Sequence, residues 1–224
     1  MNWTSRGVTT SLLAYSLLTA FLFGPTLDAA AQTGGTFRSA GNMTTPRFGH
    51  ASTLLADGRV LIAGGLRLGA GTTSDPISFK SLTSAEIYDP STGTFTPTGD
   101  MLTPGGTFTL LPDGRVLVTG GEGIDGSAVP ILELYDPKTG QFTFAGNMTC
   151  LGWATLLNNG KVLIAGGASG PNPLTSAELY DPSTGAFTAT GSMNSPRSFF
   201  TATLLNNGTV LVVGGLDNNT RLSS

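Results

Sequence analysis

Four times along the chain a nearly unbroken apolar run follows a turn of Asp-Gly or Asn-Gly type. The runs are residues 60–63, 116–119, 162–165 and 210–213, and the turns are Asp57-Gly58, Asp113-Gly114, Asn159-Gly160 and Asn207-Gly208. A further strand-like stretch precedes each turn, at residues 50–55, 107–111, 153–157 and 200–205. Asp-Gly and Asn-Gly between two such stretches predict hairpins, with both central residues at positive φ if the turn is type I′. The runs after the turns lack polar alternation, which predicts strands covered on both faces by neighbouring sheets. Each run ends in a Gly-Gly doublet: Gly64-Gly65, Gly120-Gly121, Gly166-Gly167 and Gly214-Gly215. The doublets are expected where backbones crowd together between sheets.

A second pattern interlocks with the first. Residues 85–95, 132–142 and 177–187 each hold a short apolar strand with a Glu two residues before a Tyr, then Asp-Pro, then a Phe that restarts a strand. The tyrosines are Tyr88, Tyr135 and Tyr180, and the phenylalanines are Phe95, Phe142 and Phe187. Met101, Met148 and Met193 each follow one of these phenylalanines by six residues, and Met43 follows Phe37 at the same spacing. The repeating unit is therefore four antiparallel strands in roughly 45 to 58 residues, with units beginning near residues 41, 99, 146 and 191. A fixed period of this length is the signature of stacked sheets.

The Gly-Gly doublets, the tyrosines after them and the aromatic seven residues beyond each tyrosine resemble the kelch family of β-propellers. The resemblance covers nearly all of residues 35–224. Where the family carries tryptophan, this chain has Phe95, Phe142 and Phe187, as in the bacterial branch resembling the propeller domain of galactose oxidase. The implied fold is all-β: a kelch-type propeller of four-stranded antiparallel blades, three complete and one incomplete. The incomplete blade has strands from residues 200 and 210 and a fourth strand at 35–37, so a third is wanting. Truncation of a larger propeller is favoured over a closed four-bladed ring, because a missing strand leaves an open edge.

Composition adds the setting. Residues 1–31 read as a secretory signal: Arg6 precedes the mostly apolar residues 8–23, and Ala29-Ala30-Ala31 offers a cleavage site. The mature domain is then 32–224, secreted or periplasmic and free of the membrane after cleavage. There are 32 glycines, and 11 basic against 14 acidic residues give a net charge of -3. A mildly acidic chain without a basic block does not suit nucleic acid. Cys150 is the only cysteine, so an intramolecular disulfide is excluded and the expected role is a small apolar residue in a loop.

Antiparallel strands place the Asp-Gly and Asp-Pro turns on one side. The loops after Gly-Gly and the methionine segments lie on the other side, which varies between repeats and is expected to carry the contacts. Its candidate residues are Arg47, His50, Trp153, Arg197 and Phe199. Arg47 and Arg197 follow Pro46 and Pro196; they would grip a carboxylate at a channel mouth or hydrogen-bond neighbouring carbonyls. His50 is the only histidine, too little for a metal site. Enzymes like galactose oxidase hold copper with two histidines, two tyrosines and a cross-linked cysteine, a set this chain cannot assemble. Glu86, Glu133 and Glu178 recur in each of the three complete units, so a structural role is expected, with Arg59, Arg115 and Lys161 as cross-strand partners.

These features favour a secreted, non-catalytic module without cofactor or metal, which contacts a protein or carbohydrate through the loops after each Gly-Gly. The rival is a carbohydrate-active enzyme of mutarotase or lyase type using Arg47, Arg197 and His50.

Overall fold

The computed structural model describes residues 39–70, 77–121, 123, 127–149, 151–169, 172–218 and 220–223, all within one compact unit spanning Ser39–Ser224. The leader, Phe37 and Cys150 lie outside the described residues. Three four-stranded antiparallel sheets follow one another along the chain. Blade 1 comprises Ala51–Leu54, Val60–Ala63, Ala85–Asp89 and Thr94–Pro97. Blade 2 comprises Thr107–Leu110, Val116–Thr119, Ile131–Asp136 and Gln141–Asn147. Blade 3 comprises Trp153–Leu156, Val162–Ala165, Ala177–Asp181 and Ala186–Ala189. A final hairpin of Thr201–Leu204 and Val210–Val213 repeats the first half of a blade.

The first strands of successive blades contact one another, and the blades stack through their faces. Between blades 1 and 2 lie Leu61, Ile87, Met101, Val116, Val118, Tyr135 and Phe142. Between blades 2 and 3 lie Leu117, Leu132, Leu134, Met148, Val162, Ile164 and Tyr180. The strand Val116–Thr119 thus sends alternate side chains to both neighbours, which is why it needs no polar face.

The hairpin turns differ from the type I′ expectation. Gly58 has φ 86°, but Asp57 is not among the residues with positive φ, and Gly58 N–H donates to Leu55 O while Leu55 N–H donates to Arg59 O. This is a three-residue loop in which only the glycine adopts the left-handed conformation. The aspartate instead accepts the Arg59 N–H at 3.1 Å, closing the turn from the side chain. Asp113 and Asn159 bind the N–H of Arg115 and Lys161 in the same way.

The doublets show two kinds of crowding. A Cβ on Gly65 would stand 2.6 Å from Phe48 O, and one on Gly215 2.7 Å from Ser198 O, so the second glycine admits the backbone of its own repeat. In two of the doublets the first glycine faces the next repeat: a Cβ on Gly64 would meet the Met101 methyl at 2.9 Å, and one on Gly166 the Met193 methyl at 2.7 Å. Met101, Met148 and Met193 donate their N–H groups to Thr83, Pro130 and Thr175 of the preceding unit. The methionine spacing seen in the sequence is therefore an inter-blade joint.

Beyond the doublets the chain forms small β-ribbons rather than irregular loops. They pair Leu66–Ala70 with Ile77–Ser81, Ala168–Ser169 with Asn172–Pro173, and Leu216–Asp217 with Thr220–Arg221.

Candidate functional site

The recurrent glutamates are buried and hydrogen-bonded. Glu86, Glu133 and Glu178 are 1%, 0% and 3% exposed, so any charge they carry needs partners inside the protein. Glu86 accepts from the N–H groups of Thr44 (2.6 Å) and Thr45 (2.9 Å) and from Arg47 Nη2 (2.8 Å). Glu133 accepts from the N–H groups of Leu102 and Thr103 and from Thr103 Oγ1. Glu178 accepts from Thr149 N–H and Oγ1, both at 2.9 Å. Each carboxylate pins the segment after its unit's methionine to its third strand. Burial alone would push Glu86 up, but the Thr44 and Thr45 N–H groups and the Arg47 guanidinium outweigh it and hold the carboxyl below the usual range.

This arrangement overturns the expected pairing of these glutamates with Arg59, Arg115 and Lys161. Those cations bind Asp57 at 2.7 Å, Asp113 at 2.7 Å and Asp181 at 3.3 Å. Register is the reason. Glu86 lies opposite Ile62, with Val60 opposite Tyr88, so Arg59 projects beyond the tyrosine, about 10 Å along the strand from the glutamate.

Arg47 is withdrawn from any contact surface. Its side chain is fully buried, Nη1 donates to Gly64 O (3.0 Å) and Ser84 O (2.6 Å), and Nη2 donates to Ser84 Oγ and Glu86. Of the two roles open to it from sequence, the structure places it in the one that ties loop carbonyls together. Arg197 is equally deep at 8% exposed, and Nη1 donates to Gly214 O at 2.9 Å. His50 is exposed, at the edge of the first strand of blade 1.

The remaining candidates gather into exposed aromatic groups. Phe199 is 75% exposed and stands edge-on to Trp153 at 6.2 Å, while the buried Phe200 packs on the same indole at 5.2 Å. Phe199 also has φ 54°, where the matching position of the first repeat is Gly49 with φ 62°. A large side chain in that region is strained. One further group was not singled out from the sequence: Phe48 (47% exposed) and Phe79 (56% exposed) meet edge-to-face at 5.4 Å. Leu68 lies across the ribbon from Phe79, and the exposed Arg67 and Lys80 face each other on the other side of that ribbon. The signal that could have found them was the alternation Leu66-Arg67-Leu68, hidden because these residues were read as loop.

On the opposite side, an open depression of about 890 Å³ runs between the turns of blades 1 and 2. It is bordered by Asp57, Arg59, Asp113, Arg115, Asp136 and Lys138. Among the described residues no three His, Cys, Asp or Glu side chains gather as a metal group, and no helix is long and apolar enough to cross a membrane.

The repeated tyrosines close the blades. Tyr88, Tyr135 and Tyr180 pair with Phe95, Phe142 and Phe187 at 4.7, 4.7 and 5.0 Å, and Tyr135 OH shares a hydrogen bond with Thr98 Oγ1. Four-stranded antiparallel blades joined through Gly-Gly, Glu-x-Tyr and methionine define the architecture as a kelch-type β-propeller array. Residues 154–194 match the family model described as Kelch motif. A solved structure titled "Structure of YjhT" superposes with a TM-score of 0.52 over 80% of this chain and 80% of that one, at 13% identity. At that identity the likeness concerns the fold. No curated protein matches the chain by sequence.

Proposed function

We propose that the protein is a non-catalytic interaction module, which binds a protein partner through the aromatic groups beside its Gly-Gly doublets. The single observation that carries this reading is Phe199. A phenylalanine 75% exposed, at φ 54°, contributes little to the core and keeps a conformation its counterpart Gly49 adopts without strain. Phe48, Leu68 and Phe79 offer a second exposed apolar group, flanked by Arg67 and Lys80, and aromatic anchors beside cations suit a protein interface. The kelch-type fold supports this choice of class. The leader-like residues 1–31 support an extracytoplasmic setting.

A sugar is the second candidate ligand, since Trp153 and Phe199 offer rings for stacking. The catalytic alternative loses its main support with Arg47, whose donors are all engaged. Cross-linked affinity capture and a glycan array, each run with the wild-type chain and with a Phe48→Ser, Phe79→Ser, Phe199→Gly variant, test the reading. Proteins recovered by the wild type should be lost with the variant while its thermal midpoint holds. The same proteins recovered by both chains, or binding confined to glycans, would replace this proposal.

A further inference from the structure

Two grooves on the turn side are built from the same positions of the repeat and differ in what closes them. The groove between blades 2 and 3 has a volume of about 250 Å³, and the one between blades 1 and 2 about 890 Å³. Their linings correspond: Asp136-Pro137-Lys138 in the larger takes the place of Asp181-Pro182-Ser183 in the smaller, and Ala56 that of the bulkier Pro112. Both lie between complete four-stranded blades, so every turn that the repeat assigns to them is present.

In the smaller groove the polar groups satisfy one another. Arg115 Nη2 crosses the blade boundary to donate to Pro182 O at 3.0 Å, Lys161 Nζ stands 3.3 Å from Asp181, and Ser183 Oγ donates to Asp181 at 2.6 Å. None of these contacts has a counterpart among the described residues of the larger groove. The guanidinium of Arg59, in the place of Arg115, bonds to Asp57 of its own turn through Nε at 2.9 Å and Nη2 at 2.7 Å. Arg115, in the place of Lys161, is held by Asp113. The Asp136 carboxylate therefore accepts one main-chain N–H, that of Lys138 at 2.9 Å, and has no ion pair. Lys138 stands where Ser183 has its hydroxyl, exposed and with no side-chain partner among the described residues.

The pairs Asp57 with Arg59 and Asp113 with Arg115 cancel, which leaves Lys138 and Asp136 as the uncompensated charges of the larger groove. Arg59 also keeps Nη1 without an acceptor among the described residues. The matching guanidinium of the smaller groove lies 3.0 Å from the carbonyl that precedes Ser183, so Arg59 is within reach of the backbone beside Lys138. Two cationic donors converging there suit an oxyanion, and the Asp136 carboxylate suits a cationic donor. Leu55, Ala56 and Pro137 add apolar lining. A volume of about 890 Å³ falls within the range of small-molecule sites, roughly 300–1,000 Å³, and that of the smaller groove falls below it.

We propose that the groove between blades 1 and 2 binds a free amino acid with an apolar side chain. Its carboxylate sits between Arg59 and Lys138, its ammonium on Asp136, and its side chain against Leu55, Ala56 and Pro137. A ligand of one charge only would leave either Lys138 or Asp136 uncompensated, whereas a zwitterion completes both. The groove lies on the side opposite the exposed aromatic groups, so the proposal stands independently of the partner reading above.

The test is isothermal titration calorimetry of the purified full chain with compounds of one shape: L-phenylalanine, hydrocinnamate, which lacks the ammonium, and phenethylamine, which lacks the carboxylate. Saturable binding of phenylalanine is expected, with each of the others bound about five-fold more weakly, because each forfeits one partly exposed ion pair. Lys138→Ser, which installs the residue of the smaller groove, should weaken phenylalanine binding by about the same factor. Asp136→Asn keeps a turn-forming side chain and should lower phenylalanine to the level of hydrocinnamate. Hydrocinnamate or phenethylamine bound as tightly as phenylalanine overturns the proposal. So does phenylalanine binding that Lys138→Ser leaves unchanged, or the absence of saturable binding. The ligand comparison uses the unaltered chain, so it decides the matter even if a variant does not fold.

Discussion

The strand Val116–Thr119 of blade 2 and the strand Val210–Val213 of the last hairpin carry nearly the same apolar run. The first is buried at every position, whereas the second alternates between half-buried and exposed. Leu117 is 0% exposed and Leu211, at the same place in its unit, is 48% exposed. Blade 2 has a sheet against each face, and its glutamate joint is filled by Glu133. An apolar run thus supplies the means of burial, but the neighbouring sheet decides whether burial occurs. The middle of the array is consequently a packing core, whereas the last hairpin keeps part of its apolar run exposed.

The sharpest break in that comparison is at the arginines. Arg47→Met strands Glu86 without its cation and should cost about 3–5 kcal/mol, while Arg197→Met should change stability by about 1 kcal/mol or less. Urea unfolding of both variants measures the gap, and equal losses would mean that Arg197 already has a carboxylate partner. Next come the leucines. Leu117→Ala should cost about 3 kcal/mol and Leu211→Ala less than about 1 kcal/mol, read from the same unfolding curves.

A third measurement follows pH. Because Glu86 is held below the usual range in the folded chain, its contribution is fully present above the unfolded value of about 4.3 and fades as pH falls through the folded one. Midpoints taken from pH 6 downwards should decline, and Glu86→Gln should flatten the decline in that window. The smallest effect belongs to the half-buried surface pair of Lys161 and Asp181, 3.3 Å apart: Lys161→Met should stay within about 0.5 kcal/mol of the wild type. A larger loss there would show that the turn side contributes more than surface ion pairs do.

Sequence alone determined the repeat and the order of the strands. The Gly-Gly doublets, methionines and Glu-x-Tyr motifs mark places where one backbone must approach another, and such places tolerate few residue types, so they recur visibly. The hairpins were legible too, although the turn type was not, because Asp-Gly serves both kinds of loop and hydrogen bonding across the turn selects between them.

Only the tertiary structure decided the partners. Arg59 and Arg115 stand three residues along the strand from the positions that face the glutamates, and they bind Asp57 and Asp113 instead. Arg47 reaches across 39 positions to Glu86, a pairing that no local spacing announces. The positive φ of Phe199 depends on where loops cross. Local pattern fixes which elements form, because it is set by turn chemistry and side-chain alternation. Which surfaces they cover, and which they leave open, is settled when sheets meet.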